Sequence, residues 1–489
     1  MYNKYIGKTM CVNKGGYLMR KTECTTILVG KKASIDGTII IARNEDYHDA
    51  INLKKFVVHE DKPNGSTYES DNTKVKVKLP KGAMRYTAIP SDDKNEPGQY
   101  AEAGFNELGV AVSSTESLYG NERVLALDPL VLDGIAEDAI NDLVTPYAKS
   151  ARDGIKFLGE LIKKYGSAEG NGILFADEDE AWYMEIPTGH HWVAVRIPDD
   201  CYAVAPNHVC IEQIDFNDKE NYMWSEGMEE FVKENNLNPD FEGFNFRKVF
   251  GTYRELDRVY NTPRAWYAHK LLSSCDLGPT CGDIPFIKKA TRKISVEDCA
   301  KVLGSHYNET EFDPLGWQGT EQEKKRFRCI SLSRTAHSHI LQVYPDLDEK
   351  LRGVTWLSFG TTAFNPYVPF FNYVEDTPKE YRTVPEKMDI DNAYWLAKVF
   401  AYYAEEHYKL FNRDTHEFLQ LMAVYGRQRV MEIQKGAKGL DDKKLMKYLT
   451  EENQKTATYF IEETKKQLQD YATRALFTSK LTFQMDKNL

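Results

Sequence analysis

The sequence predicts an α+β protein in which antiparallel sheets are sandwiched by helices and followed by a wholly helical tail. Three observations predict it. Two β-branched runs, Ile27-Leu28-Val29 and Ile39-Ile40-Ile41, flank a stretch that ends in Asp36-Gly37, the pattern of a hairpin of buried strands. Four more short strands, at 172–176, 181–186, 192–197 and 201–205, are separated by turns containing Asp, Gly or Pro, the spacing of antiparallel sheet. From Asp389 onward the apolar spacing becomes helical, over 393–412, 415–435 and 441–480.

Residues 1–23 contain lysines and glycines but no continuous apolar core, so they read as neither a signal peptide nor an anchor. Lys14-Gly15-Gly16 back-translates to a ribosome-binding sequence correctly spaced before Met19. Residues 1–18 are therefore expected to be a mis-called extension and 19–23 a short propeptide.

In the hairpin, a turn centred on Ser34 would set Cys24 opposite Asn44, and a turn centred on Asp36-Gly37 would set it opposite Asp49. Either register brings Cys24 within a few residues of Arg43 and Asp46. A cysteine opening such a strand can attack as a thiol if the chain is cut ahead of it, with its freed α-amine as base and the charged groups holding both. The plainer reading is a buried structural cysteine with surface charges at the hairpin end.

Further along, 137–147 and 151–165 read as helices. Residues 103–111 form a strand, a tight turn with Asn106-Glu107-Leu108-Gly109 at its tip, and a second strand. Asn207 and His208 follow the last strand of the meander. Arg326-Phe327-Arg328-Cys329 opens a strand expected to continue to His337-Ser338-His339. The pairs His190-His191 and His337/His339 suggest a metal, but no third ligand stands at a recognisable spacing. The tail's aromatic and aliphatic residues read as core or as a contact between copies of the chain.

The chain has 489 residues, enough for up to three domains, and 63 Lys+Arg against 74 Asp+Glu give a net charge of −11. That balance argues against nucleic acid or an anionic membrane as a partner. No apolar stretch approaches the length of a membrane span. The eight cysteines include no Cys-x-x-Cys pair, so reduced thiols and a cytoplasmic location are expected.

Together these segments resemble the C69 peptidases, bacterial dipeptidases of the N-terminal-nucleophile superfamily, with penicillin V acylases and conjugated bile salt hydrolases as more distant relatives. The resemblance rests on Cys24-Thr25-Thr26-Ile27, Ala42-Arg43-Asn44-Glu45-Asp46, Gly104-Phe105-Asn106-Glu107-Leu108-Gly109-Val110-Ala111 and Asp133-Gly134-Ile135-Ala136-Glu137-Asp138. It continues through Asn171-Gly172-Ile173-Leu174-Phe175-Ala176-Asp177, Trp182-Tyr183-Met184-Glu185-Ile186, Gly189-His190-His191-Trp192 and Gly353-Val354-Thr355-Trp356-Leu357. It implies an αββα sandwich over 24–385 with a helical extension over 386–489. It also implies Cys24 as nucleophile, Asp46 fixing its α-ammonium and Arg43 stabilising the thiolate. Asn106 and Asn207 would serve the oxyanion hole, and Arg328 would be a further active-site arginine, with Arg326 the competing alignment. The expected activity is hydrolysis of a broad range of dipeptides without metal or organic cofactor, in a self-associating protein. The alternatives are an amidase acting on N-acyl amino acids and a non-catalytic, secernin-like interaction protein.

Overall fold

Alternation along the first hairpin decides the layers. In Thr25–Val29 and Ile39–Asp46, Leu28, Ile39 and Ile41 enter one hydrophobic cluster, while Ile27, Val29, Ile40 and Ala42 enter another. Both faces of these strands are thus covered. The computed structural model describes residues 10–13, 16–19, 24–60, 65–92, 100–282 and 284–478. The expected leader and propeptide, 1–23, lie largely outside the described residues. Only the backbone pairing of Met10–Asn13 with Gly16–Met19 is described there, and the expected cleavage point at Glu23 is not.

The hairpin sits in the middle of a seven-stranded antiparallel sheet, in the order Ile287–Lys289, Cys201–Ala205, Thr25–Val29, Ile39–Asp46, Thr335–Val343, Gly353–Phe359, Val368–Phe371. A six-stranded antiparallel sheet faces it, in the order Tyr222–Trp224, Val193–Ile197, Ala181–Ile186, Asn171–Ala176, Ala111–Glu116, Ala103–Phe105. Leu28, Ile39, Ile41, Leu341 and Val343 of the first meet Ala111, Leu174, Tyr183 and Val195 of the second between the sheets.

Helices Glu137–Val144 and Ala151–Tyr165 cover the outer face of the second sheet through Ile140, Leu143, Ile155, Leu158 and Ile162. The longer one starts where Ser150 Oγ accepts from the Asp153 N–H and stops at Gly166, whose φ of 72° suits glycine. On the other side, Thr262–Leu272 and Val296–Leu303 cover the first sheet, the latter begun by a Ser295/Asp298 capping box. The layers are helix, sheet, sheet, helix: an αββα sandwich of the α+β class. The tail helices Ala393–Glu406, Tyr408–Gly436 and Asp442–Phe477 wrap the Val368–Phe371 edge and add side chains to both clusters, among them Phe400, Phe411, Phe460, Ile433 and Leu449.

The structure corrects four details. The hairpin turns between Ser34 and Ile35, since Thr25 pairs with Asn44, so Cys24 falls opposite Glu45, one place from the Ser34-centred register. The loop is longer than a tight turn because Lys32 and Ala33 N–H groups bond Asp199 O and the Ser34 and Thr38 hydroxyls pair at 3.0 Å. The fourth meander strand, Cys201–Ala205, leaves its predecessors and joins the first sheet beside Thr25–Val29. The expected helix 137–147 ends at Val144, because Pro146 cannot extend the hydrogen-bond ladder. Residues 326–331 are not a strand: Arg328 N–H bonds Val259 O and Ser331 N–H bonds Ser305 O, and extended pairing starts only at Thr335.

Candidate active site

Residues of even number in Thr25–Val29 and of odd number in Ile39–Asp46 face the space between the sheets. Cys24 and Arg43 continue those rows, which brings the sulfur and the guanidinium together at the open end of the hairpin. Arg43 Nη1 donates to Cys24 Sγ at 3.1 Å and lies 3.5 Å from Glu137 Oε1, while Nη2 pairs with Glu102. Cys24 is 6% exposed and Arg43 wholly buried. Burial pushes the Cys24 thiol up from its ordinary value; Arg43 and then the Thr115 hydroxyl oppose this, and Asp46 and Glu102 add to it. Burial works against the Arg43 charge as well, but Glu102, the sulfur, Glu137 and Glu45 outweigh it and hold the guanidinium protonated.

Behind this pair the inter-sheet space stays polar. Lys54 Nζ lies 2.8 Å from Glu45 Oε1 and 3.8 Å from Glu102 Oε1. Glu45 pairs with His337 Nδ1, His337 Nε2 meets His339 Nδ1 at 3.0 Å, and His339 Nε2 meets Ser113 Oγ at 3.0 Å. His337 and His339 are therefore links in a buried hydrogen-bond chain, and burial drives both well below the usual histidine range. His190 is spent on Asp128 and His191 on Ser225.

The strand Cys201–Ala205, by crossing to the first sheet, delivers Asn207 to the same end. Arg264 fixes it. Arg264 Nη2 donates to Asn207 Oδ1 at 2.6 Å and to Asn261 Oδ1 at 2.7 Å, while Nη1 donates to Cys24 O at 2.6 Å and Thr25 Oγ1 at 2.9 Å. With its oxygen held, the Asn207 amide presents Nδ2, a buried donor without a hydrogen-bond partner among the described residues. Sequence reasoning missed Arg264; the available signal was an arginine between Pro263 and Ala265-Trp266 in the first turn of a helix. His208, next in the chain, is buried, and burial followed by Arg247, Arg264 and Arg254 keeps it neutral.

Asp46 points to the opposite face of its strand from Arg43. Its carboxylate accepts from Arg328 Nη2, on a side chain 7% exposed, and from the buried Thr335 hydroxyl. Burial pushes the Asp46 carboxyl up and Arg328 opposes this; in turn the carboxylate outweighs burial and raises Arg328. Of the two candidate arginines, Arg328 reaches the site, whereas Arg326 is exposed and lies over Phe327. Asn106 is not brought to this group. Its Nδ2 donates to Thr145 O and Ala148 O, and its Oδ1 accepts from Leu108 and Val110 N–H. An asparagine at such a turn satisfies the local backbone, and this one has no donor left for a substrate.

Beyond Arg43, Glu116, Glu137 and Glu169 bring one carboxylate oxygen each within 4.8 Å of the others. Sequence reading did not single them out, because 116, 137 and 169 lie on a strand end, a helix start and a loop with no common spacing.

The chain as a whole has counterparts among known sequences. The model of peptidase family C69 matches residues 23–420. This chain belongs to peptidase family C69. Over 468 residues it is 50% identical to the probable dipeptidase of Latilactobacillus sakei, covering 95% of this chain and 98% of that one. The probable dipeptidase B of Lactococcus lactis subsp. lactis is 42% identical over 444 residues, with 90% and 92% covered. Dipeptidase A of Lactobacillus helveticus is 40% identical over 446 residues, with 89% and 93% covered. Among the described residues of this C69 peptidase, no helix is long and apolar enough to cross a membrane.

Proposed function

We propose that this C69 peptidase is a thiol dipeptidase that works once the chain is cut ahead of Cys24. The observation that carries the reading is the 3.1 Å contact of Arg43 Nη1 with Cys24 Sγ at the head of the central strand. Cys24 Sγ attacks the carbonyl carbon of the peptide bond. Its proton passes to the freed α-amine, whose ordinary pKa is near ~8, and from there to the leaving amine as the C–N bond breaks. Water then hydrolyses the thioester and returns the proton to sulfur. Arg43 offsets the thiolate charge against burial, Asn207 Nδ2 donates to the oxyanion, and Arg264 is a positioning residue for Asn207. Asp46, held by Arg328 and Thr335, is the carboxylate that would fix the freed α-ammonium. Dipeptides as the substrate class are supported by the names of the relatives; broad side-chain tolerance and a cytoplasmic setting are part of the proposal.

Intact mass and N-terminal sequencing of the purified protein test the maturation step, and steady-state hydrolysis of a dipeptide panel tests the activity. A chain beginning at Cys24 that cleaves dipeptides is the expected result. A chain that retains Glu23 and cleaves none overturns the reading, as does a Cys24→Ala chain with undiminished hydrolysis.

A further inference from the structure

Thiol chemistry alone does not distinguish a dipeptide from an N-acylated amino acid; the difference is a free α-ammonium beside the carbonyl under attack. In the dipeptide that nitrogen lies about 2.5 Å from the reacting carbon, so whatever binds it must stand close to Cys24. Glu137 stands there: it shares Arg43 Nη1 with Cys24 Sγ and is thus two contacts from the sulfur, and its carboxylate gathers with those of Glu116 and Glu169.

Arg43 is already matched by Glu102. Glu169 accepts the backbone N–H of Glu137 at the start of helix Glu137–Val144, whose Ala136 cap supplies no side chain of its own. That capping role accounts for one bond to Glu169. It leaves Glu169 Oε2 buried without a hydrogen-bond partner among the described residues. Asn171 adds an independent observation. It is wholly buried and stands directly opposite Glu116 across the sheet, so the two side chains rise from one face, the helix-covered one, at the strand ends beside Glu137. Its Nδ2 donates to Glu169 O at 3.3 Å and Ser167 Oγ at 3.4 Å, but its Oδ1 has no hydrogen-bond partner among the described residues. An unmatched buried acceptor costs stability in the empty protein and calls for a donor when occupied.

We infer that Glu116, Glu137 and Glu169, with Asn171 Oδ1, bind the free α-ammonium of the substrate and so select dipeptides over N-acylated amino acids. An ammonium offers three N–H donors and one positive charge to a group made of acceptors. Burial, then the charge of Glu102 on Glu137 and that of Glu116 on Glu169, hold both carboxyls well above the ordinary range. The empty site therefore stores protons that an incoming cation releases. This inference rests on the dipeptidase reading above.

The test compares alanyl-alanine with propionyl-alanine, the same skeleton with hydrogen in place of the amine, on the mature full-length chain. Wild type is expected to prefer alanyl-alanine. Glu169→Gln and, independently, Glu116→Gln should cut that preference about ten- to a hundredfold, the worth of a hydrogen bond to a charged group. The loss should fall on KM for the amine-bearing substrate. Calorimetric titration of alanyl-alanine into Cys24→Ala and into Cys24→Ala/Glu169→Gln reads the same loss without catalysis. An unchanged preference in both folded single variants overturns the inference while leaving the dipeptidase reading intact. Stoichiometric uptake of Mg²⁺, Ca²⁺ or Zn²⁺ that Glu169→Gln abolishes assigns the cluster to a metal and also overturns it. Failure of the dipeptidase reading shows in wild type itself, as propionyl-alanine turned over faster than alanyl-alanine, and takes the inference with it.

Discussion

The two halves of the strand Ile39–Asp46 are equally buried and chemically opposite. Ile39 and Ile41 fill the space between the sheets with hydrocarbon, whereas Arg43 and Glu45, the next two residues of the same row, fill it with charge. The first half stabilises the sandwich: a fully buried aliphatic side chain contributes about 1.5–3 kcal/mol. The second half gains little net stability, because the desolvation of Arg43, Glu102, Glu45 and Lys54 offsets much of their mutual attraction. The difference teaches where to look for chemistry in a buried strand, namely where the row of apolar residues stops although burial does not.

That contrast can be broken most sharply at the sulfur. Cys24→Ala should lower kcat for dipeptide hydrolysis by about 10⁴-fold or more, the scale seen when a nucleophile is removed, while thermal melting stays close to wild type. Survival of the activity would mean that the charged half serves only the fold. Asn207→Ala should come next, with kcat down about 10²–10³-fold and KM little changed, as for an oxyanion donor. An effect confined to KM would instead make Asn207 a binding residue.

Stability sharpens the comparison. Arg43→Met leaves buried Glu102 with only Lys54, 3.8 Å away, and should cost about 3–5 kcal/mol in urea unfolding, with activity lost. Ile41→Ala should cost about 2–5 kcal/mol through its cavity, with kcat retained. Equal loss of activity in both would erase the distinction between the halves. The smallest effect concerns Glu185, on the inter-sheet face of the facing sheet. Its carboxyl accepts from the Cys210 and Ile211 N–H groups, yet burial pushes it up from 4.5 to about 8. The folded chain thus keeps a proton that the unfolded chain releases. The stabilisation is complete below the unfolded value and is lost as pH rises through about 8. Wild type should lose on the order of 2–4 kcal/mol between pH 5 and pH 9, by linkage, and Glu185→Gln should flatten that slope in denaturant titrations.

Much of the frame was legible in the residues. β-branched runs and period-2 burial placed the hairpin, and apolar spacing placed helix Ala151–Tyr165 from end to end. Cys24 and Arg43 could be paired because a hairpin is local and its register admits only a few partners. What stayed hidden was non-local. That Cys201–Ala205 changes sheets depends on which edge is free, so the route by which Asn207 reaches Cys24 could not be read from its turn. Arg264 arrives from a helix 240 residues further along the chain than Cys24. Asn106 misled for the converse reason: its own turn and the nearby helix end satisfy every group it has, and side-chain type alone does not reveal that.

The bonds from Arg264 to Cys24 O and Thr25 Oγ1 have a mechanical consequence. Chain ends are ordinarily the loosest part of a domain, fraying because nothing downstream holds them. Here the clamp grips the residue on the far side of the expected cut, through its carbonyl rather than its nitrogen. Severing the peptide bond ahead of Cys24 would leave that grip untouched. A new terminus would then be born already immobilised, with its orientational entropy spent during folding and none left to lose when a substrate arrives.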